Sequence, residues 1–375
     1  MTGGLRRIPW LMVLASLGIT VLGLSGLLRA DELYGRTQLV ERQLIWLLLS
    51  IPVMGITAWI PYRLLRPWSL PAYFACQALL VLTLFMAPIN GSRRWIPLGL
   101  FDFQASEPAK LAFILAVAAW LMHRRTQHTV VGLLAPAVLA FVPMALIVLE
   151  PDLDTALLFV PVLACMLFTA GARLKHLGIA AVLGITCLPV LWSQMTPEQK
   201  SRIVSVIIQK DGGTAPAGDG FHLHQSKQVL ALGGLRGSLW QEEPPVDDPT
   251  AWQLPAARTD FVFVMIGEKF GLVGCALVML LYAILIWGGL WTAVKSREPW
   301  GRLVAVGITV LLGSQVVLNT GMTVGLLPIT GTALPLCSYG GSSLLSTYAS
   351  VGLLLNIRMH QTWDVAGHPF AAGRH

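Results

Sequence analysis

The residue whose type and position most clearly point to chemistry is Asp260, in the string Thr259-Asp260-Phe261. It lies where the polar loop 192–259 runs into a long apolar segment. A carboxylate beside hydrocarbon is costly unless it is hydrated, paired or used in a reaction. A carboxylate at such a boundary can serve as a general base at the membrane surface, and Asp260 is the predicted catalytic residue. The alternative is that Thr259 or Asp260 simply caps the next helix.

A second polar segment, 104–110, combines a helix start with an ion pair. Ser106 is predicted to cap the helix that Pro108 enters in its first turn. Glu107 and Lys110 are three residues apart, so they share one face of that helix and can pair. A buried structural ion pair is the plainer interpretation. The functional alternative is that Lys110, or Arg93 or Arg94 in the loop before it, faces a phosphate.

Further carboxylates lie near these segments. The string 150–155 carries three of them, among them Asp152, at the start of an apolar run, and capping accounts for only one. Glu268 lies about two turns beyond Asp260 and could face the same interior groove. A buried pairing with a lysine of another helix is the favoured alternative for Glu268.

The elements that position these residues are membrane helices. Of the 375 residues, 55% are hydrophobic and only 12% are charged, whereas soluble domains average roughly 25% charged. Crossing the hydrocarbon layer takes about 20 apolar residues, and such segments must be helical because backbone groups in lipid need internal partners. Ten candidates occur, at 9–28, 44–62, 71–89, 108–122, 130–149, 156–170, 177–192, 261–294, 303–327 and 344–357. The sequence predicts an all-α integral membrane protein with about ten transmembrane helices in a single domain, 1–375.

The distribution of Lys and Arg predicts the orientation. With the N-terminus inside, every inner loop carries at least two basic residues, which is the expected bias. Both termini are then cytoplasmic, and the large loop, about 193–259 between helices 7 and 8, lies outside. The first segment lacks a clear cleavage site and is predicted to be a retained helix. The net charge of +7 belongs to this asymmetry, and no basic tract suggests nucleic acid.

The outer loops carry their own patterns. The stretch 197–210 is predicted to hold a short amphipathic helix on the membrane. A second helical piece, 225–240, is broken at Gly233-Gly234. The small residues of 334–343 predict a tight re-entrant turn. The five cysteines stand singly without metal-ligand spacing, so they are predicted to be packing residues with no metal site.

Several strings, taken together and in order, resemble the shape, elongation, division and sporulation (SEDS) family, whose best-known members are RodA and FtsW. The strings are Arg94-Trp95-Ile96-Pro97-Leu98-Gly99, Gln104-Ala105-Ser106-Glu107-Pro108-Ala109-Lys110-Leu111, Pro151-Asp152-Leu153, Thr259-Asp260-Phe261-Val262-Phe263, Gly267-Glu268, Gly325-Leu326-Leu327-Pro328, Thr330-Gly331 and Leu334-Pro335-Leu336-Cys337-Ser338-Tyr339-Gly340-Gly341-Ser342-Ser343. The general look of the first three helices favours the RodA group.

This chain departs from the family pattern at three places. Asp154 replaces a usual glycine. The segment Pro255-Ala256-Ala257-Arg258 replaces Pro-Glu-x-His. The usual glycine-serine-glycine-glycine stretch is reduced to Ala231-Leu232-Gly233-Gly234-Leu235. These departures concern the loop contacts, and Asp260 itself is in place.

The resemblance implies a peptidoglycan glycosyltransferase that polymerises lipid II in cell-wall elongation, beside a class B penicillin-binding protein, in the bacterial inner membrane with the active site outside. It implies Asp260 as the catalytic base and a functional Glu107–Lys110 pair. Candidates for neutralising the lipid pyrophosphate are Arg93, Arg94, Lys110 and Arg202. Asp152, Glu268 and Ser338 are further candidates. No cofactor is certain, and a divalent metal ion is left open. Lipid II and membrane lipids are the other expected partners.

Two other functions are alternatives to the glycosyltransferase. A lipid II flippase would use ten helices and the buried Glu268 and Lys269, but transporters usually show internal repeats and broken helices at mid-membrane, and no convincing repeat is visible. A non-catalytic scaffold for a penicillin-binding protein would tolerate replacement of Asp260.

Overall fold

The structure is a computed structural model that describes residues 8–88, 92–99, 101–122, 130–195, 197–207, 219–240 and 254–360. Several inner-loop arginines that predict the orientation, including those at 6–7 and 124–125, lie outside these ranges. The helices are α1 Trp10–Tyr34, α2 Leu39–Trp59, α3 Ser69–Thr83, α4 Ser106–Leu121, α5 Val130–Leu149, α6 Leu153–Leu157, α7 Phe159–Thr169, α8 Leu174–Gln194, α9 Pro197–Ile207, α10 Asp219–Leu232, α11 Val262–Lys295, α12 Pro299–Thr323 and α13 Gly341–Met359. Two strands, β1 Trp95–Pro97 and β2 Asp102–Gln104, complete the described elements, with short helical turns at Tyr62–Leu64 and Ser238–Trp240.

Each predicted apolar segment is helical, so the all-α class is confirmed. Within the described ranges, five helices are long and apolar enough to cross a membrane: Trp10–Tyr34, Leu39–Trp59, Gly132–Leu149, Val262–Lys295 and Pro299–Thr323. The chain is an integral membrane protein. The count of ten crossings, the side of the termini and the side of the large loop stay predictions.

The bundle has a buried centre and an apolar outside. Helix α11 packs along α1 and α12, and α13 packs along α2. Tyr282, Trp300 and Tyr348 are buried at its centre, and the Tyr348 hydroxyl lies 2.8 Å from that of Thr20. Large apolar side chains remain exposed on the outside, as with Trp59 at 84%. An apolar exterior is what a lipid-facing bundle requires.

Helix α11 is broken near its start. Gly271 has φ 66° and ψ −160°, far from helical values, a backbone conformation that glycine adopts far more readily than other residues. The break frees backbone donors beyond it. The amide of Leu272 donates to the carbonyl of Gly234 at 2.9 Å, and that of Val273 donates to Leu235 at 3.4 Å. The loop between α10 and α11 therefore supplies the acceptors that the helix itself does not.

Glycines allow this close approach. A Cβ on Gly233 would meet the carbonyl oxygen of Gly267, and one on Gly237 would meet that of Lys269. The predicted glycine break is confirmed, because α10 ends at Leu232 immediately before it. The helix predicted within 197–210 is confirmed as α9, and its contact with the membrane stays a prediction.

Two segments predicted to lie on the outer side form tight local structures. Strands β1 and β2 pair in an antiparallel hairpin in which Trp95 is opposite Gln104, a structure that the sequence did not predict. The 334–343 turn is held by Gln43 of α2. The Gln43 side chain donates to the carbonyl of Ser338 and accepts from the amide of Gly340. Both turns bring their ends towards the start of α4.

Of the four cysteines whose side chains the structure describes, Cys76, Cys275 and Cys337 are buried and none is in a disulfide. Their predicted packing role is confirmed.

Candidate active site

A polar cavity of about 130 Å³ lies between the hairpin, α4, α6, α12 and the segments before and within the start of α13. Its lining brings together residues that are far apart in the sequence, among them Arg94, Glu107, Lys110, Asp152, Thr259, Gln315 and Thr332. The predicted polar strings 104–110, 150–155 and 259–261 thus meet at one place. Two cations and two carboxylates line the cavity, so its wall carries no large excess of either charge.

The predicted pair on α4 forms. Lys110 Nζ donates to Glu107 Oε1 at 2.8 Å, and both residues are buried. The carbonyl of Glu107 also accepts from Ser346 of α13. The predicted cap by Ser106 is wrong: the helix begins at Ser106 itself, and no side chain caps it. The Ser106 hydroxyl is buried in the first turn instead, because α4 starts two residues earlier than the apolar run.

Asp152 is the carboxylate of the 150–155 string that acts as a cap. Its side chain accepts from the amide of Thr155 at 3.3 Å, so it caps α6. Arg94 approaches from the hairpin, with a guanidinium nitrogen 3.5 Å from Asp152 and a hydrogen bond to the carbonyl of Pro151. The buried carboxylate of Asp152 and the half-buried Arg94 thus link the hairpin to α6.

The other two carboxylates of this string have raised pKa values. Burial raises the pKa of Glu150 to about 7, against the effect of a hydrogen bond from Thr83. Burial, aided by the charge of Asp152, raises the pKa of Asp154 to about 7. Arg202 of α9 opposes this rise, with a guanidinium nitrogen 3.7 Å from Asp154. Helix α9, between α8 and α10, therefore contacts the same group of charges.

Asp260 lies in a tight turn directly after Thr259, which lines the cavity, but is not itself a lining residue. A Cβ on the lining residue Gly331 would lie 3.5 Å from its carboxylate. Its amide donates to the carbonyl of Ala256 at 3.0 Å, and its carbonyl accepts from Asn319 of α12 at 2.8 Å. Helix α11 begins at Val262 without a side-chain cap. The capping alternative for Thr259 or Asp260 is therefore wrong, which leaves the Asp260 carboxylate unused by the helix end.

The surroundings of that carboxylate favour its protonated form. Desolvation by burial raises the pKa of Asp260 above its usual range. A hydrogen bond from Thr259 and the charges of Arg202, Arg94 and His222 act in the opposite direction. Within the described ranges no cation forms an ion pair with Asp260, so these charges act from a distance. A carboxylate that is partly dehydrated and has cations nearby is a suitable base.

Three other candidates lie away from this cavity. Arg93 is exposed and donates to the carbonyl of Leu84. Glu268 is fully buried and pairs with Arg29 of α1 through both carboxylate oxygens, at 2.7 and 2.8 Å. It thus faces α1 and does not share the groove of Asp260, and its partner is an arginine where a lysine was favoured. Ser338 closes the 334–343 turn by accepting from the amide of Leu334.

The structure also shows three contacts that the sequence did not predict. Asn319 donates to the carbonyl of Asp260. Asp31 pairs with Arg258, and Arg29 pairs with Glu268. The Asp31–Arg258 contact had one signal in the sequence, because the departure from the family pattern at Arg258 introduces a cation two residues before Asp260. No group of three His, Cys, Asp or Glu side chains in the described part of the chain converges to hold a metal ion.

Fold and site together define a helical membrane protein with two carboxylates and two cations lining one polar cavity. The sequence pattern of the FtsW, RodA and SpoVE family of cell cycle proteins matches residues 6–363. The chain belongs to this family.

Named relatives agree with this membership. The peptidoglycan glycosyltransferase MrdB of Escherichia coli K12 is 34% identical over 324 residues, which cover 86% of each chain. A probable peptidoglycan glycosyltransferase FtsW of Geobacter sulfurreducens is 32% identical over 367 residues, covering 94% of this chain and 95% of that one.

Solved structures show the same fold. A chain from work on the structural coordination of polymerization and crosslinking by a peptidoglycan synthase complex has a TM-score of 0.81 and 29% identity, and covers 95% of this chain and 99% of that chain. The crystal structure of the Thermus thermophilus rod shape determining protein RodA has a TM-score of 0.69 and 27% identity, with 95% and 98% covered.

Proposed function

We propose that this protein is a peptidoglycan glycosyltransferase that polymerises lipid II at the outer face of the bacterial inner membrane, with Asp260 as general base. Relatives of both the MrdB and the FtsW type bear the name peptidoglycan glycosyltransferase. The observation that carries the base assignment is the nearness of the Asp260 carboxylate to the cavity lining, because a Cβ on the lining residue Gly331 would lie 3.5 Å from Asp260 Oδ2. The carboxylate is also free of the helix end.

The proposed reaction is a direct displacement. The Asp260 carboxylate takes the proton from the 4-hydroxyl of the acceptor sugar. That oxygen forms a bond to the anomeric carbon of the donor sugar, and the bond to the lipid pyrophosphate breaks, so the leaving group departs with the electron pair. A positioned base contributes typically 10²–10⁴-fold. One displacement without a covalent intermediate inverts the configuration at the anomeric carbon.

The cations nearest to the cavity are proposed to stabilise the leaving pyrophosphate. Arg94 and Lys110 line the cavity, and Arg202 acts on Asp260 and Asp154 from α9. Arg93 is not retained for this role. Lys110 is buried and held by Glu107 at 2.8 Å, so we assign it to positioning α4. Arg94 and Arg202 are more exposed and lie 3.5 and 3.7 Å from their carboxylates, so we give them the larger electrostatic role.

A divalent metal ion stays a prediction. The described side chains alone do not form a complete set of ligands, and no step of the proposed reaction depends on one. Magnesium in enzymes is usually held by one or two carboxylates together with substrate phosphates. Asp152, which lines the cavity, is the residue that would contribute.

The proposed partner is a class B penicillin-binding protein. Support comes from the similar chain described in a synthase complex that polymerises and crosslinks. Crosslinking requires a transpeptidase beside the polymerase. The role in elongation, as opposed to division, stays a prediction from the look of the first helices.

The test is glycan polymerisation from lipid II by the purified protein, alone and with its penicillin-binding partner, comparing native chain and Asp260→Ala. We expect polymer from the native chain and none from a folded, membrane-inserted variant. Polymer from the variant at native levels would remove Asp260 as base. A liposome flipping assay run in parallel addresses the transport alternative: lipid II movement without polymer would replace the glycosyltransferase assignment.

A further inference from the structure

The segment that carries Asp260 is tied to the outer end of α1 on both sides of the catalytic residue. Arg258 lies two residues before Asp260, and Glu268 lies eight residues after it. Each forms an ion pair with α1, Arg258 with Asp31 and Glu268 with Arg29. The charges alternate, since α1 contributes one cation and one anion.

The contact before Asp260 is dense. The Arg258 guanidinium donates to Asp31 at 2.7 Å, to the carbonyl of Gly35 at 2.7 Å and to that of Ala30 at 3.3 Å. Two of these acceptors are carbonyls at the end of α1, where a cation is favoured because the last carbonyls have no partner within the helix. Asp31 is held in turn by the hydroxyl of Thr37 at 2.8 Å.

The contact after Asp260 is bidentate and better shielded. Two nitrogens of Arg29 reach the two carboxylate oxygens of Glu268, which is fully buried. A third contact of Arg29 reaches the hydroxyl of Ser238 at 2.9 Å, in the loop that fills the break of α11. Bidentate pairs fix orientation as well as distance.

Between the two ion pairs, α1 and the start of α11 are packed so closely that neither can move freely against the other. A Cβ on Gly26 of α1 would lie 3.0 Å from Ile266 and 3.1 Å from Val262, so the helices are already in contact there. Arg29 and Asp31 are two residues apart and leave α1 on different sides. The segment 258–268 therefore wraps around the end of α1, and the Asp260 turn moves only if an ion pair or this packing gives way.

We propose that the outer end of α1 positions Asp260, through the Asp31–Arg258 and Arg29–Glu268 pairs, and so sets the turnover rate. This inference rests on the proposed role of Asp260 as base. The residues involved are positioning residues, because they act on Asp260 through the segment that carries it, by ion pairs between that segment and α1. The catalytic geometry then depends on a helix that begins 250 residues earlier in the sequence (Trp10 against Asp260).

The test uses conservative variants of the purified full-length protein in the lipid II polymerisation assay. Asp31→Asn keeps the shape and removes the charge. Arg258→Lys keeps the charge but replaces the planar guanidinium, which donates from both Nε and Nη2, with a single ammonium nitrogen. We expect each to lower kcat by about 10–100-fold, because a displacement of about 1 Å is enough for such a loss. KM should change little, since the cavity lining is untouched.

Coupling between the two positions is the decisive measurement. If Asp31 and Arg258 act as one unit, the double variant loses no more kcat than the worse single variant. The matched control is the Arg63–Glu298 pair, with a nitrogen-to-oxygen distance of 3.0 Å, in a different part of the bundle. Glu298→Gln should lower the melting temperature if it changes anything, and leave kcat of the folded protein as it is.

The outcomes separate the two proposals. Native kcat in folded Asp31→Asn and Arg258→Lys, with Asp260→Asn inactive, overturns the positioning inference and keeps the base. Native kcat in Asp260→Asn overturns the base and the inference together. A fall in melting temperature in the α1 variants, without loss of kcat per folded molecule, also overturns the inference.

Discussion

The most direct test of the site is the substitution Asp260→Asn, which removes one charge and almost no volume. The two backbone hydrogen bonds of this residue, to Ala256 and from Asn319, do not use the carboxylate and should persist. Loss of a positioned base costs about 10²–10⁴-fold in kcat. At 1.36 kcal/mol per tenfold, that is roughly 3–5 kcal/mol of transition-state stabilisation.

The same substitution should leave the protein at least as stable. Burial raises the pKa of Asp260 in the folded state, so folding is favoured as pH falls through that pKa and is opposed by the charged form above it. The charged form of the carboxylate therefore costs stability, and a neutral amide removes that cost. We expect a melting temperature no lower than that of the native protein, measured in the same detergent or nanodisc.

The matched control is Asp154→Gly, which restores the residue usual in the family at a neighbouring carboxylate. The pKa of Asp154 is raised to about 7, so by pKa alone it would be a competent base. The assay is single-turnover polymerisation of lipid II by native chain, Asp260→Asn and Asp154→Gly. We expect activity from Asp154→Gly and a deep loss from Asp260→Asn. The reverse pattern would refute the reasoning and make Asp154 the base.

Three further outcomes follow from the contacts of the site. Arg202→Gln removes a charge that lowers the pKa of the Asp260 carboxylate, the proposed base, so the acidic limb of the kcat–pH profile should move to higher pH; a shift to lower pH would contradict this electrostatic account. Glu107→Gln leaves the buried Lys110 ammonium without its carboxylate and should destabilise by about 3–5 kcal/mol in thermal unfolding, while the added Lys110→Met should recover most of that loss; equal stability of native chain and single variant would show that the pair is not desolvated. Gly271→Ala places a Cβ 2.5 Å from two loop backbone atoms in a strained conformation, and we expect a loss of about 1–3 kcal/mol, measured as a lower melting temperature; an unchanged melting temperature would contradict the assigned break.

Hydropathy could predict the helices because membrane-spanning segments must be long, apolar and internally hydrogen-bonded. The ends were less predictable. Helix α1 continues six residues past the predicted end at 28, to Tyr34. Its last turns are polar, and only the fold supplies the partners that stabilise Arg29 and Asp31 there. Contacts between residues more than 200 positions apart cannot be predicted from the local sequence.

The residues of the candidate site could also be predicted only in part. Asp260, Arg94 and the Glu107–Lys110 pair were predicted, the first through the family resemblance and the pair through its spacing. The Ser106 cap was wrong because the true helix start depends on how α4 packs. The break at Gly271 has no proline beside it, and a lone glycine in an apolar run predicts no particular backbone angle.

The broken helix also constrains how this protein can be re-engineered. The amides of Leu272 and Val273 lie among side chains that face outward and are apolar, so water is a poor substitute for the loop carbonyls that they bind. Shortening 233–237, or cutting the chain there, would leave the amides of Leu272 and Val273 without their acceptors. Insertions and tags are therefore better tolerated elsewhere, and this short stretch is as much a part of the membrane scaffold as the helix that it completes.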